Sequence, residues 1–255
     1  MNRPPRKRFG QNFLIDDAVI AAIIAALRPA HDESMIEIGP GRGALTEPLL
    51  AMVDDLHAIE IDRDLAADLQ RRYPRLIVHA DDALKFDFAR FKPELRVVGN
   101  LPYNISTPLL FHLAHHAAHL RDLHVMLQKE VVDRMVASAG ASDYSRLSVM
   151  LQYRFSLEKL FDVEPQAFDP PPKIQSAVVR LTPLRPLPWP ARDEMLFSRI
   201  VAAAFAQRRK TLRNSLKAYF ATADFAALDI NPQARAQELS VAQFVALADY
   251  LAARN

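Results

Sequence analysis

The chain has no cysteine. That excludes disulfides, thiolate metal sites and cysteine nucleophiles, and it suits a cytoplasmic protein. No apolar run reaches the roughly 18 residues that a membrane-spanning helix needs. The first eight residues, Met1 to Arg8, are charged rather than apolar, so no secretory signal is expected. There is no internal repeat and no low-complexity tract. The eight histidines form no metal-ligand pattern. His112, His115, His116 and His119 recur at helical spacing, which a helix surface or a packing face explains better than a metal stripe. What is present is 255 residues, 50% of them hydrophobic. That supports one well-packed core and a small second domain.

The formal net charge is only +2, but it is unevenly placed. Residues 1–10 hold Arg3, Arg6, Lys7 and Arg8 and no acid. Residues 207–217 hold Arg208, Arg209, Lys210, Arg213 and Lys217 and no acid. The two segments carry +4 and +5, which leaves −7 on the rest. Concentrated positive charge suits a polyanion such as RNA. A solvated tail and a solvated helix face would carry the same charge.

The first two-thirds alternates helix and strand signals. Asp16 can cap a helix with apolar positions Val19, Ile20, Ile23, Ile24 and Leu27. Strands are expected at 35–38, 55–61, 76–78, 96–98, 124–127 and 176–181. Helices are expected near 43–52, 64–72, 106–118 and 129–137. Residues 146–153 fit either state. Strands separated by single helices predict an α/β, Rossmann-like domain with a parallel sheet and helices on both faces. Pro183, Pro186, Pro188 and Pro190 fall within eight residues and predict an extended connector. Beyond it the pattern is helical, ending in a helix that Ser240 and Gln243 can open as a capping box. The expected organisation is therefore residues 1–185 as the α/β domain and 186–255 as a smaller all-helical domain.

Residues 37–43 read Glu-Ile-Gly-Pro-Gly-Arg-Gly, after a strand and before a helix. Glycines let the backbone turn sharply and let a ligand approach without a Cβ in the way. Gly39 and Gly41 thus mark a nucleotide-type cofactor site at the end of a strand. Glu60 ends the second strand, where a carboxylate can accept from both ribose hydroxyls. Asp82 follows the third strand and could accept from an adenine amino group. The loop spacing is not Gly-x-Gly-x-x-Gly; it resembles the first motif of S-adenosylmethionine methyltransferases.

After the fourth strand comes Asn100-Leu101-Pro102-Tyr103. It resembles the catalytic motif of methyltransferases that act on exocyclic base nitrogens. Such an amine is a poor nucleophile because its lone pair is delocalised into the ring. Acceptors on its hydrogens, the Asn100 side-chain oxygen and the Leu101 carbonyl, help localise that pair. Pro102 fixes the turn, and Tyr103 offers a face on which an extruded base can stack. A methyl on a sulfonium needs in-line placement rather than a strong base or a metal.

In combination these motifs resemble the ribosomal RNA adenine dimethyltransferase family, its bacterial small-subunit branch in particular. The match runs from residue 9 to about 217. Phe9 to Leu14 resembles the family's N-terminal motif; by that resemblance Gln11, Asn12 and Leu14 contact the cofactor, together with Gly39, Glu60, Asp82 and Asn100. The doublet Asp81-Asp82 leaves open which of the two meets the adenine. Phe168 to Lys173, with Ser176 to Val178, resembles the family's late motif. There Phe168 would sandwich the target adenine against Tyr103. Arg6, Lys7 and Arg8, with Arg208, Arg209, Lys210 and Arg213, would hold RNA phosphates. The resemblance implies S-adenosylmethionine as cofactor. It implies two adjacent adenines in a hairpin near the 3′ end of 16S ribosomal RNA as substrate. A monomeric cytoplasmic enzyme is expected, with no metal and no membrane contact. A 23S ribosomal RNA methyltransferase of the antibiotic-resistance type, a non-catalytic RNA-binding assembly factor and a nicotinamide dehydrogenase are the competing readings.

Overall fold

The computed structural model describes residues 11–254. Contacts divide the chain into two compact units, and each has its own core.

The first unit comprises residues 1–132 and 157–183. It opens with a two-residue strand, β1 (Phe13–Leu14), and helix α1 (Asp17–Leu27). The Asp16 side chain accepts from the amides of Ala18 and Val19, and Ile23 and Leu27 are buried. Strand and helix then alternate: β2 (Ser34–Ile38), α2 (Thr46–Leu50), β3 (Asp55–Ile59), α3 (Arg63–Arg72), β4 (Ile77–His79), β5 (Leu95–Asn100), α4 (Ser106–His115), β6 (Leu120–Gln128) and α5 (Lys129–Val136). After α6 (Arg146–Gln152) come three more strands, β7 (Phe155–Val163), β8 (Phe168–Asp169) and β9 (Ser176–Pro183).

Seven strands form one sheet in the order β4-β3-β2-β5-β6-β9-β7. Its first five members pair in parallel. Strand order reverses between β2 and β5, the switch point at which such sheets bind ligands. The expected wholly parallel sheet is corrected at β9, which runs antiparallel to β6 with Met126 opposite Val178. No crossover helix precedes β9, so nothing returns the chain to the parallel direction. Strand β7 is unanticipated. It is an edge strand whose charged residues Glu158, Lys159 and Asp162 hide the apolar signal. Apolar side chains of α1, α2, α3 and of β2, β3, β5, β6 and β9 join one core, centred on Leu27, Met35, Leu49, Val98 and Met126.

The second unit comprises residues 133–156 and 184–255. Besides α6 it holds α7 (Glu194–Phe205), α8 (Leu212–Ser215), α9 (Thr222–Ala227) and α10 (Val241–Ala252). The Ser240–Gln243 capping box opens α10 as expected. The sequence reading placed 133–156 in the first domain. The structure groups it with the helices instead, because Tyr144, Val149 and Tyr153 pack into the same core as Phe197 and Phe244. Residues 207–217 do not form a single helix face. A turn precedes α8, and all five basic side chains are exposed.

Candidate active site

The loops that leave β2, β3 and β5 at their carboxyl ends extend the sheet's hydrogen bonding by one step. The Gly39 amide donates to the Ile59 carbonyl (2.9 Å), the Glu60 amide to His79 (3.0 Å) and the Leu101 amide to Met126 (3.0 Å). This brings the exits of β2, β3, β4 and β5 to one edge, around a cavity of about 330 Å³. Gln11, Asn12, Leu14, Gly39, Gly41, Glu60, Asp81, Asp82, Asn100, Leu101, Pro102 and Tyr103 all line it. Residues distant in sequence are thus gathered at one site.

The glycine loop closes the cavity from one side. Gly41 has φ +57°, and a Cβ there would lie 3.0 Å from the Phe13 ring. Gly99 is required for another reason: a Cβ on it would stand 2.3 Å from the Ile38 carbonyl oxygen. Without one, β5 can press against the exit of β2.

Glu60 is buried and bound at both oxygens, accepting from the Asp62 amide (2.9 Å) and the Gly41 amide (3.3 Å). Burial pushes its pKa up to about 6, against those hydrogen bonds. Glu37, on β2, also lines the cavity. Burial raises it to about 7, while the Thr46 hydroxyl, 2.5 Å away, favours the ionised form and the Glu60 charge opposes it. The sequence reading did not assign Glu37 a role. Its signal was a carboxylate inside the otherwise apolar run Met35-Ile36-Glu37-Ile38. Asp82 is half-buried and accepts from the Leu84 amide (3.0 Å), while the more exposed Asp81 accepts from the Asp82 amide (2.7 Å). Four carboxylates thus line the cavity, with Arg42 the only lysine or arginine among the described residues that line it. That balance fits a cationic ligand, and the sulfonium and ammonium of S-adenosylmethionine match it.

The Asn100 side-chain nitrogen donates to the Asn12 carbonyl (3.0 Å), which leaves its amide oxygen as the acceptor for an incoming amine. The N-terminal motif is itself tied down. Phe13 and Leu14 pair with Asp169 and Phe168. The Arg42 guanidinium lies over the Phe13 ring at 4.2 Å and meets Asp169 at 2.9 Å. Sequence reading had no means of finding Arg42 in this role.

Tyr103 is half-buried, and burial raises its phenol pKa. Phe168 stands apart from the other site residues. It is 2% exposed, packs with Leu14, Met126 and Val178, and does not line the cavity. In this conformation it does not face Tyr103 across an open slot, and a sandwich would require the 168–173 segment to move. Arg208, Arg209, Lys210 and Arg213 are exposed on the second unit, where Arg208 donates to the Ser142 carbonyl (2.5 Å). Arg6, Lys7 and Arg8 lie outside the described residues. Two of the four histidines pack inward: His112 bonds the Phe86 carbonyl (2.7 Å), and its ring and that of His116 meet Phe88 at steep angles, whereas His115 is exposed on the helix surface. Among the described residues no group of three or more metal-ligating side chains occurs. No described helix is long and apolar enough to cross a membrane.

A Rossmann-like sheet with an acidic cofactor cavity and an Asn-Leu-Pro-Tyr loop at its switch point defines an S-adenosylmethionine-dependent methyltransferase. Comparison with known proteins narrows the class. The family model for ribosomal RNA adenine dimethylase matches residues 2–253, and the chain belongs to that family. It is 61% identical over 252 residues to Ribosomal RNA small subunit methyltransferase A of Thiobacillus denitrificans, covering 98% of this chain and 99% of the relative. A dimethyladenosine transferase from Plasmodium falciparum is similar in structure, with TM-score 0.81, 27% identity and coverage of 92% of this chain and 95% of that one. The 23S rRNA methyltransferase ErmE follows, with TM-score 0.72, 25% identity and coverage of 94% and 100%.

Proposed function

We propose that this protein dimethylates the N6 amines of two adjacent adenines in a hairpin near the 3′ end of 16S ribosomal RNA during small-subunit assembly. S-adenosylmethionine is the methyl donor. The observation that carries this reading is the Asn100 amide, fixed by the Asn12 carbonyl at the exit of β5 and opening on the same cavity as Gly39 and Glu60. A relative named for the small ribosomal subunit at 61% identity favours 16S over 23S RNA.

Glu60 would hold the ribose hydroxyls, Asp82 or Asp81 the adenine, and Gln11, Asn12 and Leu14 would cover the cofactor from the N-terminal side. The bound cofactor supplies a methyl group already activated by its sulfonium. Asn100 and the Leu101 carbonyl accept from the target amine and keep its lone pair on nitrogen. Pro102 sets the bend of the loop, and the Tyr103 ring carries the extruded base. Phe168 closes the base from the other side once the 168–173 segment moves. Leu14 and Phe13 help to exclude water. Arg208, Arg209, Lys210 and Arg213 hold phosphates, as do Arg6, Lys7 and Arg8, while the cavity reads the base. In-line transfer from a sulfonium calls for no metal, and the enzyme acts as a cytoplasmic monomer.

The test is methyl transfer from labelled S-adenosylmethionine to small subunits that lack the modification. Label recovered as dimethyladenosine in 16S RNA is expected. Binding without transfer would make the protein an assembly factor. Label in 23S RNA alone would place it with the ErmE-like enzymes.

A further inference from the structure

Tyr103 is anchored at both ends by serines that no part of the proposed reaction uses. Its backbone carbonyl accepts from the hydroxyl of Ser106, the first residue of α4, at 3.1 Å. Its phenol oxygen lies 2.6 Å from the hydroxyl of Ser176, the first residue of β9. Ser176 is fully buried, and its backbone stands opposite Gln128 at the end of β6. Tyr103 is its only side-chain partner among the described residues. A buried hydroxyl on an interior strand of the sheet, within hydrogen-bond distance of a residue that lines the cavity, is a rigid support for that residue's ring.

We propose that Ser176 is a positioning residue for methyl transfer, holding the Tyr103 ring in the cavity wall so that an extruded adenine meets a preset aromatic face. This inference rests on the reading of Tyr103 as the base platform. The geometry has two consequences. First, the phenol is committed to Ser176, so Tyr103 offers the adenine its ring face rather than a hydrogen bond to the base edge. The phenol is neutral near pH 7, burial raising its pKa further above the ordinary value of 10, and so it can share a proton with the serine. Second, ring rotation is restricted before the substrate arrives, so less ordering remains to be done when the base stacks. The contact ties the late motif to the catalytic loop: β9 carries the support and the exit of β5 carries the platform.

The test uses the full-length protein acting on small subunits that lack the modification. Ser176→Ala and Tyr103→Phe remove the same hydrogen bond from opposite ends. Each is expected to lower kcat about three- to tenfold, the scale of one neutral hydrogen bond. The double variant is expected to be no slower than either single one. The Kd for S-adenosylmethionine should stay at the wild-type value in all three. A purely structural role would lower thermal stability and leave kcat in place. Additive losses, or wild-type turnover in both single variants, would overturn the proposal. If Ser176→Ala does not fold, Tyr103→Phe at wild-type kcat overturns it alone. Tyr103→Ala separates the two layers. Unchanged turnover there sinks the platform itself, whereas a large loss there with normal Ser176→Ala sinks only the serine's role.

Discussion

Two buried carboxylates set the electrostatics of the cavity. Glu60 and Glu37 have pKa values raised by burial to about 6 and about 7. Ribose hydroxyls donate best to an ionised carboxylate, and a sulfonium nearby favours the same form, so binding lowers both values. Cofactor affinity should therefore hold above about pH 7 and fall as pH drops through about 6, by up to tenfold per unit for one linked proton. Calorimetric titration across that range should show this slope in the wild type and a flatter, weaker profile in Glu60→Gln. The cofactor-free protein responds in the opposite sense. Its folded form binds these protons more tightly than the unfolded chain. The carboxylates thus favour folding most at acid pH, and that contribution is lost as pH rises from the ordinary value of 4.5 through about 7. Asn100 lines the same cavity at the exit of β5. Asn100→Ala should cut turnover by roughly 10²-fold or more, the cost of a hydrogen bond made in the transition state. Single-turnover kinetics measures this, and an unchanged rate would remove Asn100 from the chemistry.

At the scale of elements, the site depends on how closely β2 and β5 approach. Gly99→Ala would bring a Cβ to 2.3 Å from the Ile38 carbonyl oxygen, a backbone atom that cannot swing aside. The expected cost is about 1–3 kcal/mol, as for other overpacked cores, with weaker cofactor binding because the exits of β2 and β5 are pushed apart. Thermal unfolding and a cofactor titration of the same variant check both effects. The positions of four parallel strands were legible because each ends in a signal: the glycine loop, Glu60, Asp81-Asp82 and Asn100. The direction of β9 was not legible. Its run Ser176–Leu181 reads the same in either sense, and only pairing with β6 distinguishes them. Strand β7 escaped notice because an edge strand buries little, and Glu158, Lys159 and Asp162 break its apolar alternation.

For the molecule as a whole, the division of labour follows charge. The cavity of the first unit is acidic, whereas the exposed 207–217 segment of the second is basic. Reversing Arg208 and Arg209 to Glu should weaken binding to small subunits and reduce the slope of log affinity against log salt, as fewer counterions are released. Cofactor affinity, set in the other unit, should not change. Binding measured at several salt concentrations tests this, and an unaltered slope would leave these arginines as ordinary surface residues. The extent of the second unit was only partly legible. The proline-rich connector marks the break after Pro183, but nothing in 133–156 says that α6 packs with α7.

The amino-acid sequence by itself determined where the chemistry sits. Glycines, acids and the Asn-Leu-Pro-Tyr turn fall at the ends of successive strands, and backbone geometry makes those ends converge. The tertiary structure alone decided which groups support them. Asn12 steadies Asn100 across 88 residues, and Ser176 steadies Tyr103 across 73. The structure also decided that Phe168 is packed into the core rather than open to the cavity. The physical reason is locality. Turn chemistry and strand patterning are properties of neighbouring residues, whereas a hydrogen bond between distant segments exists only once the sheet has fixed their register.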